Sequence, residues 1–207
     1  MLRLILLLML PLLILGCAGD SRTSNIRYYQ LDSALFNNNL LRTDEQTQHL
    51  LRLSPISLRG NLNNRAMVVR RSPQEIYSAN YHFWADSPAL MLESSAQLQL
   101  MATLEQVLVV KGADVYAEQL QSSFYQLDID IDHFNGGLDN NAEIAGLWRL
   151  SRVDEKGKLH VLSMARFSQS EPLAQDGYAA LASALSKAWQ ASLKEIANAL
   201  PQHFNQD

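Results

Sequence analysis

Apolar residues recur every three or four positions through Tyr178, Leu181, Leu185, Trp189, Leu193, Ile196 and Leu200. This is the strongest periodic signal in the chain. It predicts an amphipathic helix of about six turns with one stripe turned to a core. Asp176 stands where it would cap the start, and Pro201 marks the end. From Phe124 to Phe134 the period drops to two, with Tyr125, Leu127, Ile129 and Ile131 alternating with Gln126, Asp128, Asp130 and Asp132. That predicts a half-buried strand. Asn135-Gly136-Gly137 then turns the chain. A second strand follows over 142–153, with Ile144, Trp148 and Leu150 at even spacing. The turn Asp154-Glu155-Lys156-Gly157 leads into a third over 158–167, with Leu159, Val161, Ala165 and Phe167 aligned. Short turns between long strands read as an antiparallel meander.

The first half is less regular. Ile26 to Leu31 has aromatic β-formers and predicts the first strand. Residues 33–48 read as a loop with at most a helical turn. Leu50 to Leu58 is apolar around Pro55, which implies an edge strand or a strand with a break. Ala66 to Arg71 predicts a strand closed by Ser72-Pro73. Ile76-Tyr77 and Tyr81 to Trp84 predict a short aromatic pair turning at Ser78-Ala79-Asn80. Ser87-Pro88 marks a helix start, with Ser as N-cap and Pro at the first helical position. The helix is expected to run to about Val107, with Leu90, Met91, Ser94, Leu98, Met101 and Leu104 as its stripe. Val107 to Val110 is β-like. The order of strands, helix, strands, helix predicts an α/β fold of two layers, a mixed, largely antiparallel sheet packed against two long helices.

Composition narrows the functional classes. The chain has 207 residues, 47% hydrophobic and 18% charged, the balance of a folded protein. The net charge of −4 gives no basic excess for nucleic acid. A lone cysteine excludes an intramolecular disulfide framework and any CxxC metal site.

That cysteine sits in the most informative stretch. Arg3 precedes an apolar run from Leu4 to Leu15, too short for a mature spanning helix and suited to a signal-peptide core. Ile14-Leu15-Gly16-Cys17 resembles the lipobox of bacterial lipoproteins. In that class the thiol is acylated, the chain is cleaved before the cysteine, and the new amine is acylated in turn. Small Gly16 lets a protease reach the bond. Several acyl chains exceed what stable anchoring needs. The alternatives are a plain signal peptide with a chance cysteine, or an uncleaved anchor. The resemblance divides the chain into a leader over 1–16, a lipidated tether over 17–25 and one periplasmic domain over 26–207. Ala18, where an inner-membrane lipoprotein of enteric type has Asp, points to the outer membrane.

No catalytic motif stands out. Asp128, Asp130 and Asp132 invite a calcium reading, but the sixth and twelfth positions of such a loop are His133 and Asp139. The alternation reads them as the solvent face of a strand. His49, His82, His133, His160 and His203 have no metal-ligand spacing. There is no G-x-S-x-G, Walker loop or G-x-G-x-x-G. The expectation is a non-enzymatic protein with no cofactor and no metal. Trp148 and Trp189 are in phase with apolar stripes and are core candidates. Tyr81, Phe83 and Trp84, among polar residues before a helix cap, are the candidate partner-binding residues, with Trp84 divided between packing and contact.

Several of these residues together resemble the ABC-type transport auxiliary lipoprotein family. They are Tyr28-Tyr29-x-Leu31, Leu53-Ser54-Pro55-Ile56, Tyr81-x-Phe83-Trp84-Ala85, Phe134 before Gly136-Gly137, Ala145-x-x-Trp148, and Gly177-Tyr178-Ala179-Ala180-Leu181 before Ile196-Ala197. The resemblance covers nearly the whole chain after Cys17. It implies a non-enzymatic accessory in the outer membrane that works with an MCE-domain transport protein. That protein forms a tube or ring carrying lipid between the membranes, and the accessory docks its tip. A symmetric tube would suit a homo-oligomer. The alternatives are a pilot lipoprotein for another outer-membrane complex, a lipid-binding carrier with an apolar cavity, and, remotely, a periplasmic hydrolase.

Overall fold

The computed structural model describes residues 25–32, 47–112 and 123–204. The leader, Cys17 and most of the tether lie outside them, as does most of the 33–48 loop. In chain order the elements are β1 (Arg27–Tyr29), β2 (His49–Leu53), β3 (Ser57–Leu58), β4 (Ala66–Ser72), β5 (Glu75–Trp84), α1 (Pro88–Thr103), β6 (Val107–Lys111), β7 (Phe124–Gly136), β8 (Asn141–Val153), β9 (Leu159–Pro172) and α2 (Tyr178–Ala199). The strands form one mixed sheet and both helices pack on it, as the sequence predicts.

The long β7 organises the sheet. One edge pairs with β8 along nearly its whole length, and β8 pairs with β9 in the same antiparallel sense. The other edge is shared end to end by β2, β3 and β4, all parallel to it. Pro55 lacks the N–H a continuous ladder needs, so the 50–58 segment breaks into two strands. β2 is then an interior strand, lying between β7 and β6. The long ladders are antiparallel and the parallel ones short.

Alternation on β7 buries Leu127, Ile129 and Ile131 beneath the helices. The acids of β7 face outward. Asp128 accepts two hydrogen bonds from Arg149, and Asp132 pairs with Arg59 and Arg166. Burial works against the Asp128 charge, but hydrogen bonds from Ser54, Arg149 and Gln126 outweigh it and hold its carboxyl below the usual value. The solvent-face reading of the acids therefore holds.

The stripe of α2 is buried as predicted, including Leu185, Trp189, Leu193 and Ile196. Its start differs. Asp176 does not cap it; the N-cap is Gly177, at a φ of 110° that favours glycine. Trp189 donates its indole N–H to the Leu92 carbonyl and Gln99 donates to the Gln190 carbonyl, so the two helices are stitched as well as packed. Trp148 is also core. Gly146 leaves room for the Phe167 ring, whose other side reaches Trp189 at 6.3 Å between ring centres.

Four local expectations are corrected. Ser78-Ala79-Asn80 is no turn. β5 is one strand of 10 residues, and it turns instead at Pro73-Gln74. A bulge opposite Ala66–Val68 lets Asn80 face solvent without ending the strand. α1 stops at Thr103 rather than near Val107, because Leu104 is extended and Gln106 takes a positive φ of 60° into β6. Its buried face is Leu92, Ala96, Gln99 and Leu100, which meet α2 and β6, while Leu90 stays exposed. Ser87 does stand at its N-cap, but its hydroxyl makes no cap bond; its own N–H is taken by Asp86. On β9, a bulge at Leu162 breaks the expected alignment. Leu159, Val161 and Ala165 are exposed, and only Phe167 of the four is buried.

The wedge between helices and sheet sets the stability. Trp189→Ala is expected to cost about 3–5 kcal/mol in urea unfolding. Leu159→Ala, a similar loss of apolar surface on an exposed edge, should stay within about 0.5 kcal/mol.

Candidate functional site: an aromatic corner at the first strand

β1 is a short parallel edge strand, and its register with β5 sets Arg27 beside His82, Tyr28 beside Phe83 and Tyr29 beside Trp84. Alternation sends the pairs to opposite faces. Tyr29, His82 and Trp84 turn to the helix side. Trp84 is 2% exposed and stacks on Phe134 at 5.1 Å. Of the three candidate contact residues it is therefore a core residue, because the helix-side face it shares with Tyr29 and Phe134 is closed over. Its backbone carbonyl and that of Ala85 accept hydrogen bonds from Arg65.

Tyr28 and Phe83 project from the other face, their ring centres 6.2 Å apart. Ile26 and Tyr81 each immediately precede the first pair of this ladder, Arg27 and His82. Tyr28 is 61% exposed, Tyr81 52% and Ile26 49%, while Phe83 is half-buried. The Arg65 guanidinium lies over the Tyr28 ring, 5.6 Å from its centre. The structure thus joins Phe83 to Tyr28 and Arg65, with exposed Tyr81 and Ile26 on the same two strand segments. The sequence carried the aromatic signal of Tyr28, but only the strand register reveals that it joins Phe83.

Behind this face lies a second aromatic set. The His82 ring stacks on Tyr178, at the start of α2, with centres 4.0 Å apart, and its Nδ1 lies 2.8 Å from the Tyr29 hydroxyl. Burial, and then the nearby Arg27 charge, hold the His82 pKa below its ordinary value. In the neutral tautomer protonated on Nε2, the Tyr29 hydroxyl donates to Nδ1. Burial, reinforced by Tyr77 and Tyr29 against the opposing Arg71, raises the Tyr178 pKa. Arg71 itself sits over the Tyr77 ring at 3.8 Å. The arrangement locks β1 onto the domain; it offers no nucleophile activated by a base. Among the described residues, no group of three metal-ligating side chains comes together.

Comparison with known proteins now adds to this geometry. The model of the ABC-type transport auxiliary lipoprotein component matches residues 29–197, from β1 to the last turns of α2. The chain belongs to the ABC-type transport auxiliary lipoprotein family. Membership makes it a membrane-associated lipoprotein and an auxiliary component of transport. The crystal structure of an uncharacterised protein, 21% identical, matches with a TM-score of 0.67 over 84% of this chain and 97% of that one. Protein XCC0632 from Xanthomonas campestris, 17% identical, matches with a TM-score of 0.59 over 83% of this chain and 92% of that one. At these identities the likeness concerns the fold alone. No curated protein matches the chain. Of the motif residues that carry the family resemblance, Tyr28, Tyr29, Phe83, Trp84 and Tyr178 lie at this corner.

The His82 contact fixes a pH dependence. A histidine whose folded pKa lies below its unfolded value of 6.5 stabilises the fold above that value. This contribution is lost as pH falls below 6.5 toward the folded pKa. His82→Phe keeps the ring against Tyr178 but removes the titration. The thermal midpoint of the wild type should therefore fall more steeply on acidification from about pH 7.5 to 5 than that of the variant. Parallel midpoints over that range would assign the contact no such role.

Proposed function

We propose that this protein is a non-enzymatic accessory of an MCE-type intermembrane lipid transport system, anchored at the periplasmic face of the outer membrane through acylated Cys17. In this reading residues 1–16 are a removed leader, residues 17–25 a tether, and residues 26–207 one periplasmic domain that docks the transport tube. Tyr81 and Phe83 belong to a contact surface of this domain, separate from the faces that meet the tube, with Trp84 as the buried support behind them. A homo-oligomer would match a symmetric tube.

The family match over residues 29–197 carries this reading. Other features support it. Cys17 is the only cysteine and directly follows Ile14-Leu15-Gly16. Among the described residues no helix is long and apolar enough to cross a membrane. The carrier alternative needs an apolar cavity between sheet and helices. That interface is occupied by Leu92, Leu100, Ile144, Phe167 and Trp189, all at most 2% exposed.

The test is capture from detergent-solubilised envelope with a C-terminally tagged chain, wild type against Cys17→Ala. An MCE-domain protein should co-purify with the wild type, and the variant should lose membrane anchoring while its folded domain keeps the partner. Capture of a channel or secretin in place of an MCE-domain protein would replace this reading with that of an assembly pilot.

A further inference from the structure

Tyr28 and Phe83 make an outward-facing aromatic pair at the sheet edge, with Ile26 and Tyr81 exposed on the same two strand segments. Ile26, Tyr28 and Tyr81 are each about half exposed or more, and Phe83 completes the surface between them. Its chemistry is mixed in a specific way. Two tyrosines present apolar rings ending in hydroxyls, the side-chain type that settles where hydrocarbon meets headgroups. Arg65 lies across the Tyr28 ring and spends its hydrogen bonds on the neutral carbonyls of Trp84 and Ala85. Among the described residues Arg65 is not paired with a carboxylate, so its charge is available to anionic headgroups.

Where the chain leaves this surface decides the occupant. Only eight residues, Ala18 to Asn25, separate Cys17 from Ile26. Fully extended, that stretch reaches at most about 30 Å. An acyl anchor on Cys17 therefore holds the corner closer to the bilayer than any other part of the sheet edge can be guaranteed to lie. We propose that the face formed by Ile26, Tyr28, Tyr81 and Phe83, with Arg65, rests on the headgroup region of the anionic phospholipid leaflet in which the chain is anchored. The contact orients the domain, so that the opposite end of β7 and the β8–β9 turn point away from the membrane. The inference rests on the lipoprotein reading and names the partner of its contact surface.

The test uses the full lipidated protein in vesicles of phosphatidylethanolamine and phosphatidylglycerol. Acylation consumes Cys17, so a cysteine introduced by Tyr81→Cys or Glu155→Cys is the single free thiol for a nitroxide label. Both positions are exposed, and circular dichroism confirms that each variant folds. The label at position 81 should collide several-fold less often with an aqueous nickel chelate than the label at 155, while oxygen collisions persist. Adding Tyr28→Asp should restore nickel access at 81 without releasing the protein from the vesicle. Equal nickel access at both positions in vesicle-bound protein overturns the proposal. So does protection at 81 that arises only when envelope proteins are added, which gives the corner to a protein partner. Mass spectrometry of the purified chain separates the other failure: an unacylated Cys17 removes the anchor itself, and this inference with it.

Discussion

The domain depends on β7 being buried on one face and paired along both edges. Its Leu127, Ile129 and Ile131 are essentially inaccessible to water, each contributing about 1.5–3 kcal/mol through the hydrophobic effect. Its two edges then dictate the rest: β8 and β9 grow antiparallel from one side, and β2, β3 and β4 dock in series on the other. The helices cover only the face that this strand makes apolar. α2 lies across the meander, and Trp189 reaches through to the α1 backbone. The outward ion pairs of Asp128 and Asp132 fit the same alternation, but exposed pairs of this kind add little stability. They keep the outer face wet and set its register rather than hold it.

The aromatic corner follows from that frame at its far margin. β4 hands the sheet from β7 to β5, and β5 hands it to β1, the first described strand after the tether. A three-residue edge strand has few ladder bonds, so side chains do the fastening. Tyr29 bonds His82, His82 stacks on Tyr178, and Trp84 packs on Phe134. The inward halves of these motifs fix β1, which leaves the outward halves free to form a surface. One set of aromatic residues therefore explains both how β1 is held and what it presents.

Where the apolar pattern was long and uninterrupted, the sequence was legible. The period of β7, the stripe of α2 and the core placement of Trp148 and Trp189 follow from burial on one face, which alternation records directly. Bulges and choices between competing faces were not legible. Nothing in Leu159, Val161 or Leu162 announces which residue is left unpaired, so the inward set of β9 was misassigned. α1 has apolar residues on two faces, and only the position of α2 decides that Leu92, Ala96 and Leu100 go inside. Asn80 in β5 looks like a turn residue because a bulge and a turn ask for the same polarity. At the corner, Tyr81, Phe83 and Trp84 were visible as a cluster, but strand alternation divides them between surface and core. The contribution of Tyr28 depends on a parallel pairing of residues 55 positions apart, which no local pattern contains.

The central claim is that the folded domain serves a lipid transport tube. It is tested most directly by photocrosslinking in living cells. A benzoyl-phenylalanine is placed singly at exposed positions around the domain, including Leu90 on α1, Glu155 at the β8–β9 turn and Met164 on β9. The account predicts a covalent product with an MCE-domain protein from at least one face turned away from the membrane, and none with it when the same label replaces buried Trp189. Crosslinks that reach only an outer-membrane channel or secretin, from any face, would contradict it.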